Sequence, residues 1–162
     1  MTINSAKEPA GIDKFNISEL SGFEILQLCT EGEIKVPMSE TMGQKLIKLE
    51  KGYVLFEVKP DGRHLGPFGA VHGGYVATTL DSAVSCAVIS LLEPGVPQVV
   101  VDLNVKMLKA IPRDKVMNSE GKVLHLSKRI AMAEGKIMDH EGTLYAHATA
   151  TCMLLRKLER IL

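Results

Sequence analysis

The sequence predicts an α+β fold in which an antiparallel sheet of about six strands curls around one long apolar helix. Three observations lead to this prediction. The 162 residues can form one domain with a hydrophobic core but are too few for two ordinary domains. Six runs of residues have the composition and alternation of β-strands. One stretch of about 18 residues is apolar on all sides, so the rest of the chain must cover it.

A short helix and two strands precede the long helix. Residues 21–29 are predicted to be helical, because Ser21 and Glu24 have the spacing of a capping box. Strands are predicted at 44–51 and 53–59, joined by a hairpin turn at Lys51-Gly52. In the second strand, alternation places three apolar side chains on one face: Val54, Phe56 and Val58.

The long helix, within residues 74–92, ends at Glu93-Pro94-Gly95, and four strands follow it. They are predicted at 98–108, 115–126, 129–138 and 143–155, with a turn at 139–142 between the last two. In the first of these, one face is predicted to carry Val99, Val101, Leu103, Val105 and Met107. In the last, it carries Leu144, Ala146, Ala148, Ala150, Cys152 and Leu154. Small side chains allow the helix and sheet backbones to approach, notably Ala77, Ala83 and Ala87.

The charge pattern excludes several classes of function. The formal net charge is zero and lysine and arginine form no dense block, so neither nucleic acid nor an anionic membrane is an expected partner. Residues 74–92 are nearly long enough to span a bilayer, but Asp81 lies among them. A carboxylate at the bilayer centre costs about 2.5–3.5 kcal/mol, so a buried helix of a soluble protein is expected instead.

The cysteines and the N-terminus indicate the compartment. Cys29, Cys86 and Cys152 are far apart and odd in number, which predicts free, buried thiols rather than a disulfide framework or a zinc site. Residues 1–15 lack the apolar core of a signal peptide and are expected to be a flexible tail before a single domain at 16–162. The expected location is the cytoplasm.

Asp81 is the first candidate for chemistry, because a carboxylate within a buried helix is costly unless it is paired. Two interpretations stay open. Asp81 could be a structural residue that is paired or faces solvent. Alternatively, it could face a cleft as a general base or nucleophile, where desolvation would raise its pKa.

Glycines at the helix start favour the second interpretation. Gly73 and Gly74 lie where backbone amides have no partner within the helix, and such amides can stabilise a developing oxyanion. Asp81 lies about 12 Å further along the helix axis at 1.5 Å per residue. This separation favours a site that two chains share, with the amide from one chain and the carboxylate from the other.

The motif Gly69-Ala70-Val71-His72-Gly73-Gly74-Tyr75, with Asp81 nine residues after His72, resembles the PaaI-type (phenylacetate-degradation-like) hotdog thioesterases. The resemblance covers roughly 23–155, including Asp102-Leu103-Asn104 and residues 148–152. It implies a hotdog-fold hydrolase of acyl-CoA thioesters that forms dimers, often paired as tetramers, with no metal and no cofactor. It also implies that Gly73 supplies the oxyanion amide, while the partner's Asp81 attacks the thioester or activates water. His72, beside Gly74, mainly fixes the turn.

Two positions depart from this pattern. Gly66 stands where many relatives have an asparagine that contacts the substrate, and Val100 stands where some have serine or threonine. Ser85, one turn beyond Asp81, resembles the hydroxyl with which one subgroup positions water, or it is a small residue packed under the sheet.

Other side chains could contact the substrate. Phe68 and Tyr75 either line the acyl pocket or pack the dimer, and Lys128 and Arg129 either meet the CoA phosphates or are a solvated strand end. Three histidines are scattered and would bind metal only if folding gathered them: His125, His140 and His147.

Two other functions remain as alternatives. Gly66 in place of asparagine gives some support to a non-catalytic acyl-CoA binding protein of the same fold. The run Asp61-Gly62-Arg63-His64 weakly resembles the histidine and carboxylate pair of hotdog hydratases.

Overall fold

One six-stranded antiparallel sheet curls around a long helix in the computed structural model, which describes residues 14–155. The helices are α1 (Gly22–Thr30), α2 (Pro37–Met42) and α3 (Gly73–Ile89). The strands are β1 (Gln44–Glu50), β2 (Tyr53–Val58), β3 (Gln98–Met107), β4 (Met117–Leu126), β5 (Ile130–Met138) and β6 (Leu144–Leu154). The order across the sheet is β1-β2-β4-β5-β6-β3, so β1 and β3 form its two edges. The predicted fold is confirmed, whereas the tail predicted at 1–15 lies almost entirely outside the described residues.

Glycine and alanine let α3 lie directly on the sheet. Gly121 of β4 and Gly135 of β5 pair with each other in the middle of the inner face. A Cβ atom on Gly121 would lie 2.1 Å from the carbonyl oxygen of Ala83, so no larger residue fits without displacing the helix. Ala83 and Ala87 are fully buried. The predicted close approach is therefore confirmed for Ala83 and Ala87, and the two glycines extend it, whereas Ala77 is only half-buried and does not take part.

The hydrophobic core lies between α3 and the inner face of the sheet. Val54, Phe56 and Val58 of β2 are buried, as predicted from their alternation. In β6 the buried residues are Ala146, Ala148, Ala150 and Cys152, again as predicted. The capping box at Ser21 and Glu24 is also present, with both reciprocal hydrogen bonds.

The predicted face of β3 is wrong at its beginning. The pairing of β3 with β6 shifts register between Val100 and Asp102, which inserts one extra residue in β3. Such a bulge reverses the alternation. Val100 therefore packs against the core together with Leu103, whereas Val99 and Val101 are 41% and 53% exposed.

Helix α2 was not predicted. Pro37 occupies its first turn, and Gly43 ends it in the left-handed conformation with φ of 59°. Helices α1 and α2 both pack against β1, and α1 also contacts α3. Together they cover α3 along the β1 edge of the sheet, while its flank along β3 has no such cover.

The three cysteines are free thiols, as predicted, but only Cys152 is fully buried. Cys29 and Cys86 are half-buried, because they lie where α1 meets the flank of α3 instead of under the sheet. Within residues 14–155, no helix is long and apolar enough to cross a membrane.

Candidate active site

Helix α3 exposes one stripe between the two edges of the sheet. The residues of this stripe are half-buried, whereas the helix residues between them are buried. The stripe consists of Ala77, Thr78, Asp81, Ser82, Ser85, Cys86 and Ile89. The sequence predicted a helix that is covered all round, and along this stripe that prediction is wrong. The reason is that the sheet does not close: its edges β1 and β3 stop on either side of the stripe.

Asp81 lies at the middle of this stripe and has no hydrogen-bond or ion-pair partner among residues 14–155. Its pKa is raised above the usual value for an aspartic acid, and the cause is desolvation by the surrounding protein. Among residues 14–155, no basic group or hydrogen-bond donor contributes to this shift. The structure thus gives no support to a paired, structural Asp81, and the raised pKa is the direction expected of a general base.

Two cavities meet at Asp81 and Ser85. The first, which we name the covered cavity, measures about 550 Å³ and lies beneath α1, α2 and the segment that joins them. The second, the edge cavity, measures about 580 Å³ and follows β3 from Gln98 to Leu103. Ser85 therefore faces the same two cavities as Asp81 and is not packed under the sheet. A water molecule or a reacting carbonyl at this junction would lie beside both side chains.

The glycine turn at the start of α3 leaves one backbone amide free. The Nδ1 atom of His72 accepts a hydrogen bond from the Gly74 amide at 2.9 Å, and the backbone carbonyl of His72 accepts one from the Tyr75 amide at 3.0 Å. The Gly73 N–H has no acceptor among residues 14–155. It points from the positive end of the helix dipole, where a negative charge is stabilised. This geometry fits the roles expected of Gly73 and His72, whereas the Gly74 amide is already bonded to His72 and is not free for an oxyanion.

Gly66 and Phe68 lie in the loop before this turn, which two backbone hydrogen bonds hold in a tight conformation. The Gly66 amide donates to the Ala70 carbonyl at 2.8 Å, and the Gly69 amide donates to the Gly66 carbonyl at 3.0 Å. Phe68, at the tip of this tight turn, is 98% exposed and lines neither of the cavities at Asp81. A Cβ atom on Gly66 would lie 3.6 Å from Cδ2 of His72, an ordinary contact, so a larger side chain fits there.

Tyr75 lies away from the two cavities. Its ring is buried and packs against His64 with 4.5 Å between ring centroids. The expected contact of Tyr75 with the acyl group therefore has no support in one chain, because α3 turns this side chain into the interior rather than toward the stripe. Burial raises the pKa of its phenol to about 12.

His64 is committed to structural contacts. Its Nδ1 atom accepts a hydrogen bond from the Asp61 amide at 2.9 Å, so Nε2 carries the proton and donates to the carbonyl of Thr41, also at 2.9 Å. The Asp61 carboxylate in turn pairs with Arg63. These contacts join α2 to the loop before α3. Because both ring nitrogens of His64 are already hydrogen-bonded to the backbone, neither is available for the chemistry of a hydratase.

Lys128 and Arg129 lie apart from Asp81. They are exposed and border a separate cavity of about 390 Å³ with Met153, Leu154 and Leu155. They precede β5, which is two strands and about 10 Å from the β3 edge. Contact with CoA phosphates at the rim stays a prediction. Within residues 14–155, no three His, Cys, Asp or Glu side chains come together as a possible metal site.

The wall of the covered cavity was missed by the sequence analysis. Ile34 and Met38, from the segment between α1 and α2 and from α2 itself, line it together with Leu26 and Leu46. The segment is short and irregular, so it has no periodic pattern that could have assigned these residues to a pocket. Gln44, buried at the start of β1, was also missed, and its amide donates to Ser82 at 3.0 Å.

Comparison with known proteins gives the same fold and a similarity to one family model. Residues 68–146, which include the glycine turn and all of α3, match the family model of the thioesterase superfamily. A 1,4-dihydroxy-2-naphthoyl-CoA hydrolase of Listeria monocytogenes is 23% identical over 120 residues, which are 74% of this chain and 97% of that protein.

Solved structures agree over most of the chain. A phenylacetic acid degradation-related protein of Ralstonia eutropha JMP134 superimposes with a TM-score of 0.72 at 25% identity, covering 78% of this chain and 97% of the other. A thioesterase protein of Streptococcus pneumoniae TIGR4, solved with coenzyme A, gives a TM-score of 0.65 at 27% identity, covering 72% and 91%. The fold is therefore the hotdog fold.

Proposed function

We propose that this chain, a thioester hydrolase of the hotdog fold related to the thioesterase superfamily, cleaves acyl-CoA thioesters at a site that two copies share. The observation that carries the proposal is Asp81, a desolvated carboxylate at the junction of two cavities with no partner among the described residues. The coenzyme A in the Streptococcus pneumoniae structure supports the choice of thioester. Among hotdog thioesterases, the glycine motif favours the PaaI type.

The positions of Gly73 and Asp81 support a shared site. Both lie on α3, eight residues and about 12 Å apart, which is too far for both to bind one carbonyl group. The edge strand β3 borders Asp81 and has no further strand beside it within the described chain. If two copies pair along this edge, the glycine turn of one can approach Asp81 of the other. Two such dimers can pair again as a tetramer.

The residues divide the chemistry as follows. The partner subunit's Gly73 donates its amide hydrogen to the thioester carbonyl oxygen and stabilises the oxyanion as it forms. Asp81 either attacks the carbonyl carbon itself or takes a proton from a water molecule that attacks it. Ser85 is placed to hold that water. CoA leaves as the thiolate and the acyl group as the carboxylic acid.

The first experiment is steady-state hydrolysis of an acyl-CoA panel by wild type and the Asp81→Asn variant. Loss of a general base or nucleophile is expected to lower kcat by about 10²–10⁴-fold. Glu57→Gln is the matched control, because this carboxylate is exposed on β2 and lines neither cavity. Turnover that survives in Asp81→Asn would refute the role of Asp81. Binding of CoA esters without turnover in wild type would favour the non-catalytic alternative.

The oxyanion donor can be removed with little change in the backbone. Proline is tolerated at the first position of a helix, where Gly73 lies, and His72 already has the extended conformation that a following proline requires. Gly73→Pro therefore deletes the N–H group, while Gly73→Ala adds a Cβ atom and keeps it. We expect about a 10²–10³-fold loss of kcat in the proline variant only.

Mixing two inactive variants tests the shared site. A dimer of one Asp81→Asn chain and one Gly73→Pro chain has both defects in one site and none in the other. Random pairing then restores about a quarter of wild-type activity, since half of the dimers are mixed and each has one intact site. A site within one chain would give no restoration. Single-turnover hydrolysis in ¹⁸O water tests for direct attack by Asp81, which forms an acyl–Asp81 anhydride that water must then open. Water that attacks the Asp81 carboxyl carbon of this anhydride leaves the label in the enzyme and out of the first acid released, whereas a water activated by Asp81 always labels the acid.

A further inference from the structure

The covered cavity has the position of an acyl site. An acyl group whose carbonyl carbon lies at Asp81 can extend into the edge cavity or into the covered cavity, since both open there. The edge cavity runs along β3, the strand that the proposed dimer would occupy. The covered cavity is walled within one chain by α1, α2 and their connecting segment and does not follow β3, so the proposed dimer leaves it available to the substrate.

The wall of this cavity is suited to an aliphatic chain. Its interior is lined by branched or flexible apolar side chains, chiefly Leu26, Ile34, Met38 and Leu46. Phe56 contributes the one aromatic ring of the described wall, and only 4% of this residue is exposed, so no ring face is open for stacking. The charged residues of the wall, Lys35, Glu40 and Lys45, are exposed and therefore belong to its rim.

The cover itself carries partly exposed apolar side chains. Met38 is 54% exposed and Val36 is 40% exposed, and both line the cavity. Apolar side chains at the mouth of a pocket are buried when an apolar ligand enters, and each Å² so buried favours binding. Helix α2 has only six residues, so it can adjust around a flexible chain more easily than around a rigid ring system.

The volume sets the length of chain. At roughly 30 Å³ for each carbon, a chain of about eight to twelve carbons fills roughly half to two thirds of the cavity. An acetyl group would leave nearly all of its 550 Å³ empty. We infer that the substrates are straight-chain aliphatic acyl-CoA esters of medium length, with the acyl chain in the covered cavity. This inference rests on the proposed function.

The test is kcat/KM for a series of straight-chain acyl-CoA esters from acetyl to hexadecanoyl, with benzoyl-CoA and phenylacetyl-CoA alongside. Each added methylene that enters the cavity is expected to raise kcat/KM about fourfold, up to a chain of about eight to twelve carbons, and longer chains should gain nothing more. Decanoyl-CoA should exceed both aryl esters by at least 100-fold. A maximum at acetyl-CoA or at an aryl ester would overturn the inference and leave the thioesterase proposal standing. No turnover of any ester would overturn both.

A filled cavity gives an independent readout. Cys29, half-buried on α1, lines the covered cavity, and Cys29→Phe places a ring in it. We expect the best chain length to fall by about two to four carbons. Leu124→Phe is the control: this exposed residue of β4 lines no part of the cavity, so its length profile should match that of wild type. An unchanged profile in a folded Cys29→Phe variant would overturn the inference, and the wild-type series decides it if that variant does not fold.

Discussion

A methyl group added at Gly121 should separate the sheet from α3. The new Cβ atom would lie 2.1 Å from the oxygen and 2.4 Å from the carbon of the Ala83 carbonyl, and neither backbone atom can rotate away. Reaching even 3.0 Å requires the helix to retreat by roughly 1 Å. A gap of this size forfeits about a quarter to a half of the dispersion energy between the surfaces. We expect Gly121→Ala to lower the free energy of unfolding by about 3 kcal/mol, the upper end for overpacking.

Gly135→Ala is the matched control, because Gly135 pairs with Gly121 across the sheet. Its Cβ atom would meet the side chains of Val84 at 3.0 Å and Leu80 at 3.2 Å, which can shift by rotation. We expect a loss of about 1 kcal/mol. Urea unfolding followed by circular dichroism measures both losses, at one protein concentration because association adds to stability. Equal losses in the two variants, or a loss under about 1 kcal/mol for Gly121→Ala, would refute the reasoning.

Three further predictions concern the site. Because the pKa of Asp81 is raised on folding, wild-type stability falls as the pH rises from 3.8 through the folded pKa, so Asp81→Asn should be more stable than wild type near neutral pH. That gain should vanish below pH 3.8 in thermal melts; a gain that persists there would have another cause. Gly66→Asn should fold normally, because its Cβ atom meets the His72 ring and the Ala70 carbonyl oxygen at ordinary distances, and it should raise kcat/KM about tenfold if a substrate-contacting amide is the missing group. His72→Ala removes the side chain that caps the Gly74 amide, so the free energy of unfolding in urea should fall by about 1 kcal/mol. Its kcat should fall far less than that of Asp81→Asn.

Alternation along the chain predicted the strands wherever polar residues mark the outer face. The outer face carries Tyr53 and Glu57 in β2, and Tyr145, His147, Thr149 and Thr151 in β6, and the predicted faces of both strands are correct. At the start of β3, Val99, Val100 and Val101 are consecutive, so the sequence offers no polar residue to locate the bulge. The position of β3 beside β6 depends on long-range pairing and could not be predicted from local pattern.

The same contrast applies to the site. The free Gly73 amide follows from its place at a helix start, and the raised pKa of Asp81 follows from a carboxylate within an apolar helix. The covered cavity could not be predicted, because it depends on how α1, α2 and the segment between them pack on β1. Closeness in sequence to the motif did not place Tyr75 at the site. Its side chain leaves the helix toward the interior and packs on His64, away from the cavities.

Both halves of the proposed machinery lie on one rigid element, so the packing of α3 bears directly on activity. Gly73 begins this helix and Asp81 lies two residues before Ala83, the residue that Gly121 touches. A retreat of roughly 1 Å at Ala83 would move the carboxylate by a similar distance relative to the β3 edge. A misplacement of that size can cost about 100-fold in rate. In Gly121→Ala, assayed at low temperature where the chain is folded, kcat should therefore fall far more than in Gly135→Ala. Wild-type kcat in the folded variant would mean that the sheet, not the helix, yields to the added methyl group.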